Sequence, residues 1–81
     1  MEPKYQEGEF IIIQNNPKAI EAVRVIFAAY EPEGDIDKFL RGEFEVQFSF
    51  RSLDGIVYAC MSKDFDGRMF TIPEKYCQFL Y

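Results

Sequence analysis

The chain has 81 residues and a net charge of −5, from 14 acidic and 9 basic residues. This length allows a single domain, residues 1–81. Hydrophobic residues make up 48 % of the chain, enough for a small core without metal or disulfide support. The chain has no His, which excludes imidazole catalysis and imidazole metal ligands. Its acidic balance argues against direct contact with a phosphate backbone, so nucleic acid is not an expected partner.

The chain begins with a predicted strand and a segment that fits two kinds of structure. Residues 9–14 are rich in β-branched side chains, which predicts a strand. Residues 17–30 would form a helix if Asn16 is the cap and Pro17 the first helical residue. The apolar residues within 23–30 also alternate as they would in a strand. Local signals favour the helix, but the sequence alone leaves both structures open.

An acidic loop is predicted over residues 31–42. Within it, Asp35 can cap a short helical turn that runs to Leu40, and Gly42 can end that turn. The pair Asp35 and Asp37 has no supporting metal ligands nearby in the sequence, so a capped turn is the favoured interpretation.

The second half of the chain has the clearest strand signal. Residues 43–51 alternate strictly between apolar and polar side chains, which predicts a strand with one buried and one wet face. Turn residues at 52–55 and at Asp66 and Gly67 separate this strand from two further strands. The further strands are predicted over residues 56–62 and 69–72. Residues 64–67 resemble a fragment of a calcium loop, but they lack its later ligands and are predicted to form a turn.

The same patterns predict a core and two buried thiols. Cys60 and Cys77 stand among apolar residues and are too few for a secreted disulfide framework, so both are expected to be free and buried. The expected core residues are Phe10, Ile12, Val23, Val25, Phe27, Phe44, Val46, Phe48, Phe50, Val57, Phe70 and Ile72.

The end of the chain resembles a Src-homology-3-like domain. In that family the fourth strand is followed by a Pro-x-x-Tyr helical turn and a short fifth strand, and Pro73 and Tyr76 match that turn here. The resemblance covers residues 69–80 and implies that 79–81 form the fifth strand. It also implies a second strand at 23–30 and a place for Pro73 and Tyr76 in a ligand groove. The chain lacks Trp, which lines that groove in the family, so polyproline recognition is not implied.

Together these observations predict a mainly β fold, a small antiparallel Src-homology-3-like barrel with one short helical turn. The alternative is an α+β fold in which a helix at 17–30 packs on a four-stranded antiparallel sheet. No Ser, Cys or carboxylate constellation marks a catalytic centre, so we expect a protein that is not an enzyme and that has no cofactor or metal.

The predicted function is protein binding. We expect an acidic domain that regulates or inhibits a partner with a basic surface, of the kind that phages and mobile elements encode. A structural subunit that self-associates through a sheet edge or its apolar C-terminal tail is the alternative. The sequence shows no signal peptide or membrane span, and a cytoplasmic protein is expected. The predicted contact residues are Glu31, Glu33, Asp35, Asp37, Tyr30, Pro73, Tyr76, Phe79 and Tyr81.

Overall fold

The chain folds as a five-stranded antiparallel sheet with two helices, α1 and the short α2, in a computed structural model that describes residues 2–53 and 55–80. The strands lie in the order β4-β3-β2-β1-β5. Single 3-10 turns at Lys63–Phe65 and Glu74–Tyr76 flank β4. The elements are β1 (Phe10–Ile13), α1 (Pro17–Tyr30), α2 (Ile36–Leu40), β2 (Phe44–Ser52), β3 (Gly55–Met61), β4 (Met69–Pro73) and β5 (Cys77–Phe79).

Residues 17–30 form the helix α1 that the local signals favoured, so the second strand that the resemblance implies at 23–30 is wrong. The Asn16 side chain accepts a hydrogen bond from the backbone N–H of Ala19 at 2.9 Å, and Pro17 follows in the first turn. This cap provides a partner for an N–H group that has none within the helix. The helix buries Val23 and Phe27 against the sheet, whereas Val25 points to solvent and is 66 % exposed.

The prediction of a closed barrel is also wrong, because the sheet is open. Strands β4 and β5 are its two edges, and no pairing joins them among the described residues. The α+β alternative describes this fold better, with five strands instead of four. The 3-10 turn at Glu74–Tyr76 agrees with the predicted helical turn, and the last strand begins at Cys77, before the expected residues 79–81.

The predicted turn at Asp66 and Gly67 and the short second helix are confirmed. The other predicted turn, at residues 52–55, includes Asp54, which lies outside the described residues. Asp35 caps α2 by accepting a hydrogen bond from the N–H of Lys38 at 3.1 Å. Asp66 and Gly67 both adopt positive φ, at 55° and 71°, which makes the tight connection between β3 and β4.

One face of the sheet, called the inner face here, carries the core. Tyr5 and Phe39 complete this core from outside the sheet, since Tyr5 packs edge-on against Tyr58 and Phe39 packs against Phe44 and Phe70. The strand residues of the inner face are Ile11, Ile13, Phe44, Val46, Ile56, Tyr58, Cys60, Phe70, Ile72 and Cys77.

Half of the expected core residues are placed correctly, and the other half are not in the core. Val23, Phe27, Phe44, Val46, Phe70 and Ile72 are buried. In β1 the run of apolar residues supports either phase of alternation, and the structure buries Ile11 and Ile13 where Phe10 and Ile12 were expected. Four more residues were expected in the core but are not buried. Three are exposed and the last is partly buried: Val25, Phe48, Phe50 and Val57.

Candidate functional site

A β-bulge at Gln47 decides which side chains of β2 face solvent. Val46 pairs with Cys60, but the next paired residue, Phe48, lies opposite Ala59, so Gln47 has no cross-strand partner. Side chains alternate between the two faces of a strand, and one extra residue therefore reverses the faces of everything that follows. Phe44 is 0 % exposed before the bulge, whereas Phe48 after it is 54 % exposed.

The bulge places two aromatic rings on the face of the sheet opposite the core, called the outer face here. Residues that lie directly opposite each other in antiparallel strands point to the same face. By this register the outer face comprises Phe10, Ile12, Glu45, Phe48, Phe50, Val57, Ala59, Met61, Met69, Thr71, Pro73 and Gln78.

Large apolar side chains of the outer face remain open to solvent. Phe48 and Phe50 are 54 % and 43 % exposed, and their ring centroids lie 6.4 Å apart. Phe10 and Met69, in a row across the same face, are each more than a third exposed. Large exposed apolar side chains grouped on one face of a sheet mark a candidate interaction site.

A cleft lies at the end of the outer face where β2 begins and β3 ends. It encloses about 750 Å³, and its apolar lining consists of Phe10, Met61 and Leu80. Phe10 and Met61 both pair with Glu45, so these residues form one row of the outer face. The charged lining residues are Glu43, Glu45, Asp64 and Asp66, with Arg41 and Lys63.

The interior holds a hydrogen-bonded polar group that sequence reasoning did not find. The hydroxyl of Tyr58 donates to a Glu74 carboxylate oxygen and accepts from the backbone N–H of Tyr5 at 3.1 Å. The same carboxylate oxygen accepts from the backbone N–H of Lys4 at 2.9 Å. Burial, followed by the bond to Glu74, raises the pKa of Tyr58 well above its usual range. This network ties the start of the chain to β3 and to the turn after β4.

Both cysteines are free and buried, as expected. Burial raises the pKa of Cys60 to about 12, and burial chiefly raises that of Cys77 as well. Thiols that stay protonated at neutral pH are poor nucleophiles. The arrangement suits a structural role for these two residues.

Two of the four predicted acidic contact residues have structural partners. Glu31 forms an ion pair with Arg68 at the β4 edge, and Asp35 caps α2. Glu33 and Asp37 are exposed. The loop lies close to α1, since a side chain added at Gly34 would come within 2.5 Å of the Phe27 ring.

The structure does not bring the predicted aromatic anchors to one place. Tyr30 lies beside β4, where its hydroxyl is 3.2 Å from that of Thr71, whereas Phe79 is in β5 at the opposite edge. Pro73 ends β4, and Tyr76 packs half-buried against the core. Tyr81 lies outside the described residues.

One signal in the sequence pointed towards the outer face. Residues 56–61 are apolar without interruption, and such a run is typical of a strand with apolar surroundings on both of its faces. The strict alternation of residues 43–51 gave no sign of the bulge at Gln47. The aromatic pair Phe48 and Phe50 was therefore predicted to lie in the core.

In residues 2–53 and 55–80, no three Cys, Asp or Glu side chains are grouped as metal ligands would be. None of the helices in those ranges has the length and apolar character needed to cross a membrane. No protein-family model, no curated protein and no solved structure matches this chain.

Proposed function

We propose that this protein is a non-enzymatic binding module that docks on a protein partner through its outer face. The observation that supports the proposal is the exposed pair Phe48 and Phe50 on a strand whose other apolar residues are buried. Aromatic residues are enriched at the energetic centres of protein interfaces because they bury a large area with few rotatable bonds. The partner would cover these rings and complete a second apolar layer on the sheet.

The rigidity of the sheet supports the same proposal. Phe48 and Phe50 project from paired positions of β2, opposite Ala59 and Val57 of β3. A surface on paired strands loses little conformational freedom on binding, and less of the interaction energy is then offset by ordering. Covering the exposed half of each ring would contribute on the order of 1 kcal/mol per ring.

We propose further that the protein regulates or inhibits a partner with a basic surface. A small domain with a net charge of −5 is suited to occupy a basic surface and block it, as an inhibitor from a phage or a mobile element would. Glu33 and Asp37 are exposed for such contacts. The resemblance of the turn from Pro73 to Tyr76 to the one in Src-homology-3-like domains is also part of this proposal, although the sheet is open.

Affinity capture from lysate of the source cell tests the proposal with three variants. Phe48→Ser with Phe50→Ser removes the aromatic pair, and Val25→Ser removes a similarly exposed apolar side chain from α1. Glu33→Lys with Asp37→Lys tests the acidic loop without disturbing the Glu31 ion pair or the Asp35 cap.

We expect one stoichiometric protein to bind the wild type and the Val25→Ser variant and to be lost with the double serine variant. Retention by the double serine variant would contradict docking through the outer face. Loss with the two lysine substitutions alone would move the contact surface to the acidic loop.

Self-association through a sheet edge is a second candidate function, and the exposure of Phe79 on β5 favours it. Phe79 is 48 % exposed on the edge strand, and Leu80 follows it. The opposite edge is partly covered, because Tyr30 lies against Thr71 there. Sedimentation of the wild type and of Phe79→Ser distinguishes the two functions. A concentration-dependent dimer that the substitution abolishes would favour self-association.

A further inference from the structure

We infer that the cleft where β2 begins and β3 ends receives an arginine or lysine side chain from a basic, apolar segment of the protein partner. This inference rests on the proposed function and adds the chemistry of the partner to it. The sheet face supplies the apolar contact, and the cleft supplies the charge that selects the segment.

The cleft continues the apolar surface of the outer face. Met61 lines the cleft and stands two residues after Ala59, which pairs with Phe48. Residues two apart on a strand share a face, so the row with Phe10 and Met61 adjoins the row with Phe48. A partner segment that covers the aromatic pair can therefore reach the cleft without a change of direction.

The charge of the cleft selects a cation. Four carboxylates line it against two basic side chains, an excess of two negative charges. Within residues 2–53 and 55–80, none of these six side chains has an ion-pair partner closer than 4.0 Å. Glu31 and Asp35 differ in this respect. Glu31 is already paired with Arg68, and Asp35 already accepts a hydrogen bond at the N-terminus of α2. The carboxylates of the cleft are therefore available to a basic group from outside.

An apolar lining and an acidic rim together fit the two parts of a long basic side chain. Lysine and arginine have an aliphatic stem that packs on apolar surface and a cationic end that stays with polar groups. The stem would lie over Phe10 and Met61, and the cation would reach Glu43 and Glu45 on one side or Asp64 on the other. Arginine adds a planar guanidinium that stacks on an aromatic ring and binds carboxylates through two hydrogen bonds.

A peptide titration tests the inference without knowledge of the natural partner. The probe is a capped hexapeptide of alternating arginine and leucine, and the control is the same peptide with glutamate in place of arginine. Backbone amide signals are followed by two-dimensional NMR at low and at moderate salt. We expect the arginine peptide to shift the signals of Phe10, Met61 and Leu80, to bind more weakly at moderate salt, and the glutamate peptide to leave these signals unchanged.

Charge-neutral variants identify the groups responsible. Glu43→Gln with Glu45→Gln, and separately Asp64→Asn with Asp66→Asn, remove two charges each and keep the side-chain shape. Asn tolerates the positive φ of residue 66, so the second pair preserves the turn. We expect each substitution to weaken binding by roughly two- to fivefold. The matched control, Glu7→Gln with Glu21→Gln, makes the same change in net charge at exposed residues that do not line the cleft, and it should leave the affinity unchanged.

The outcomes separate this inference from the function on which it rests. Equal binding of the two peptides, or equal loss with the control variant, would overturn the basic-side-chain site. So would a failure of the arginine peptide to shift the cleft signals. In each case, loss of the natural partner with Phe48→Ser and Phe50→Ser would leave docking through the outer face intact. If the natural partner still binds the serine variant while the cleft binds the arginine peptide, docking through the outer face is wrong. The cleft would then be a basic-side-chain site without that docking surface.

Discussion

The two faces of the sheet differ in what covers them, although both are built from apolar side chains. The inner face packs under α1, Tyr5 and Phe39 and holds fully buried rings. The outer face carries Phe48, Phe50 and Met69 with no element of the described chain lying over them as α1 lies over the inner face. A sheet face that is apolar and uncovered stabilises the monomer little. The difference indicates that stability resides on one face and that the other is available for binding.

The largest effect should come from comparing two phenylalanines on opposite sides of the bulge. Phe44→Ala removes a ring that is 0 % exposed and should lower the free energy of unfolding by about 3–5 kcal/mol. Phe48→Ala removes a ring that is 54 % exposed and should lower it by about 1 kcal/mol or less. Urea denaturation of the two variants measures both values. Similar losses for the two substitutions would mean that the outer face is covered in the native protein.

A smaller effect is expected from the hydroxyl of Tyr58. Tyr58→Phe keeps the ring and removes the group that binds Glu74 and the N–H of Tyr5. A buried N–H then loses its acceptor, and the free energy of unfolding should fall by about 1–3 kcal/mol. Tyr30→Phe is the matched control, because its hydroxyl bonds to Thr71 in an exposed position and should contribute less. Equal losses in urea denaturation would contradict a special role for the buried hydroxyl.

The last effect is the smallest at neutral pH, because it appears only in alkaline solution, and it concerns a buried thiol. The pKa of Cys60 rises from 9.0 to about 12 on folding, so the unfolded chain loses this proton first as pH rises. Stability is therefore unaffected below the unfolded pKa and declines between pH 9 and 12, by at most about 1.4 kcal/mol per pH unit for this thiol.

Urea denaturation at a series of alkaline pH values tests this decline. Cys60→Ala should reduce the slope and leave part of it, because burial also raises the pKa of Cys77 and of Tyr58. An unchanged slope in the variant would contradict the assignment to Cys60.

The sequence predicted the elements whose signals are local. Asn16 and Pro17 marked the start of α1, and Asp35 marked that of α2, because a cap is a contact between residues three apart. The hydrophobic pattern of residues 43–51 predicted β2 but not its bulge. Gln47 loses its partner through the register between β2 and β3, and register is a property of two strands.

The candidate site could be predicted only in part, for the same reason. The acidic loop and the exposure of Phe79 follow from sequence, but the outer face exists because the bulge turns Phe48 and Phe50 away from the core. The Tyr58 and Glu74 network joins residues 16 apart through the fold. Neither feature has a signal within one strand or one turn.

The position of β1 has a consequence for the order in which the chain can fold during synthesis. β1 lies between β2 and β5, so one of its neighbours is the last strand to leave the ribosome. Tyr5 also depends on β5, because its hydroxyl donates a hydrogen bond to the carbonyl of Cys77, 72 residues later. Long-range pairings of this kind form late and slowly. The hairpin of β2 and β3 can form earlier, and both of its apolar faces would then be exposed to solvent until the remaining strands and α1 pack against it.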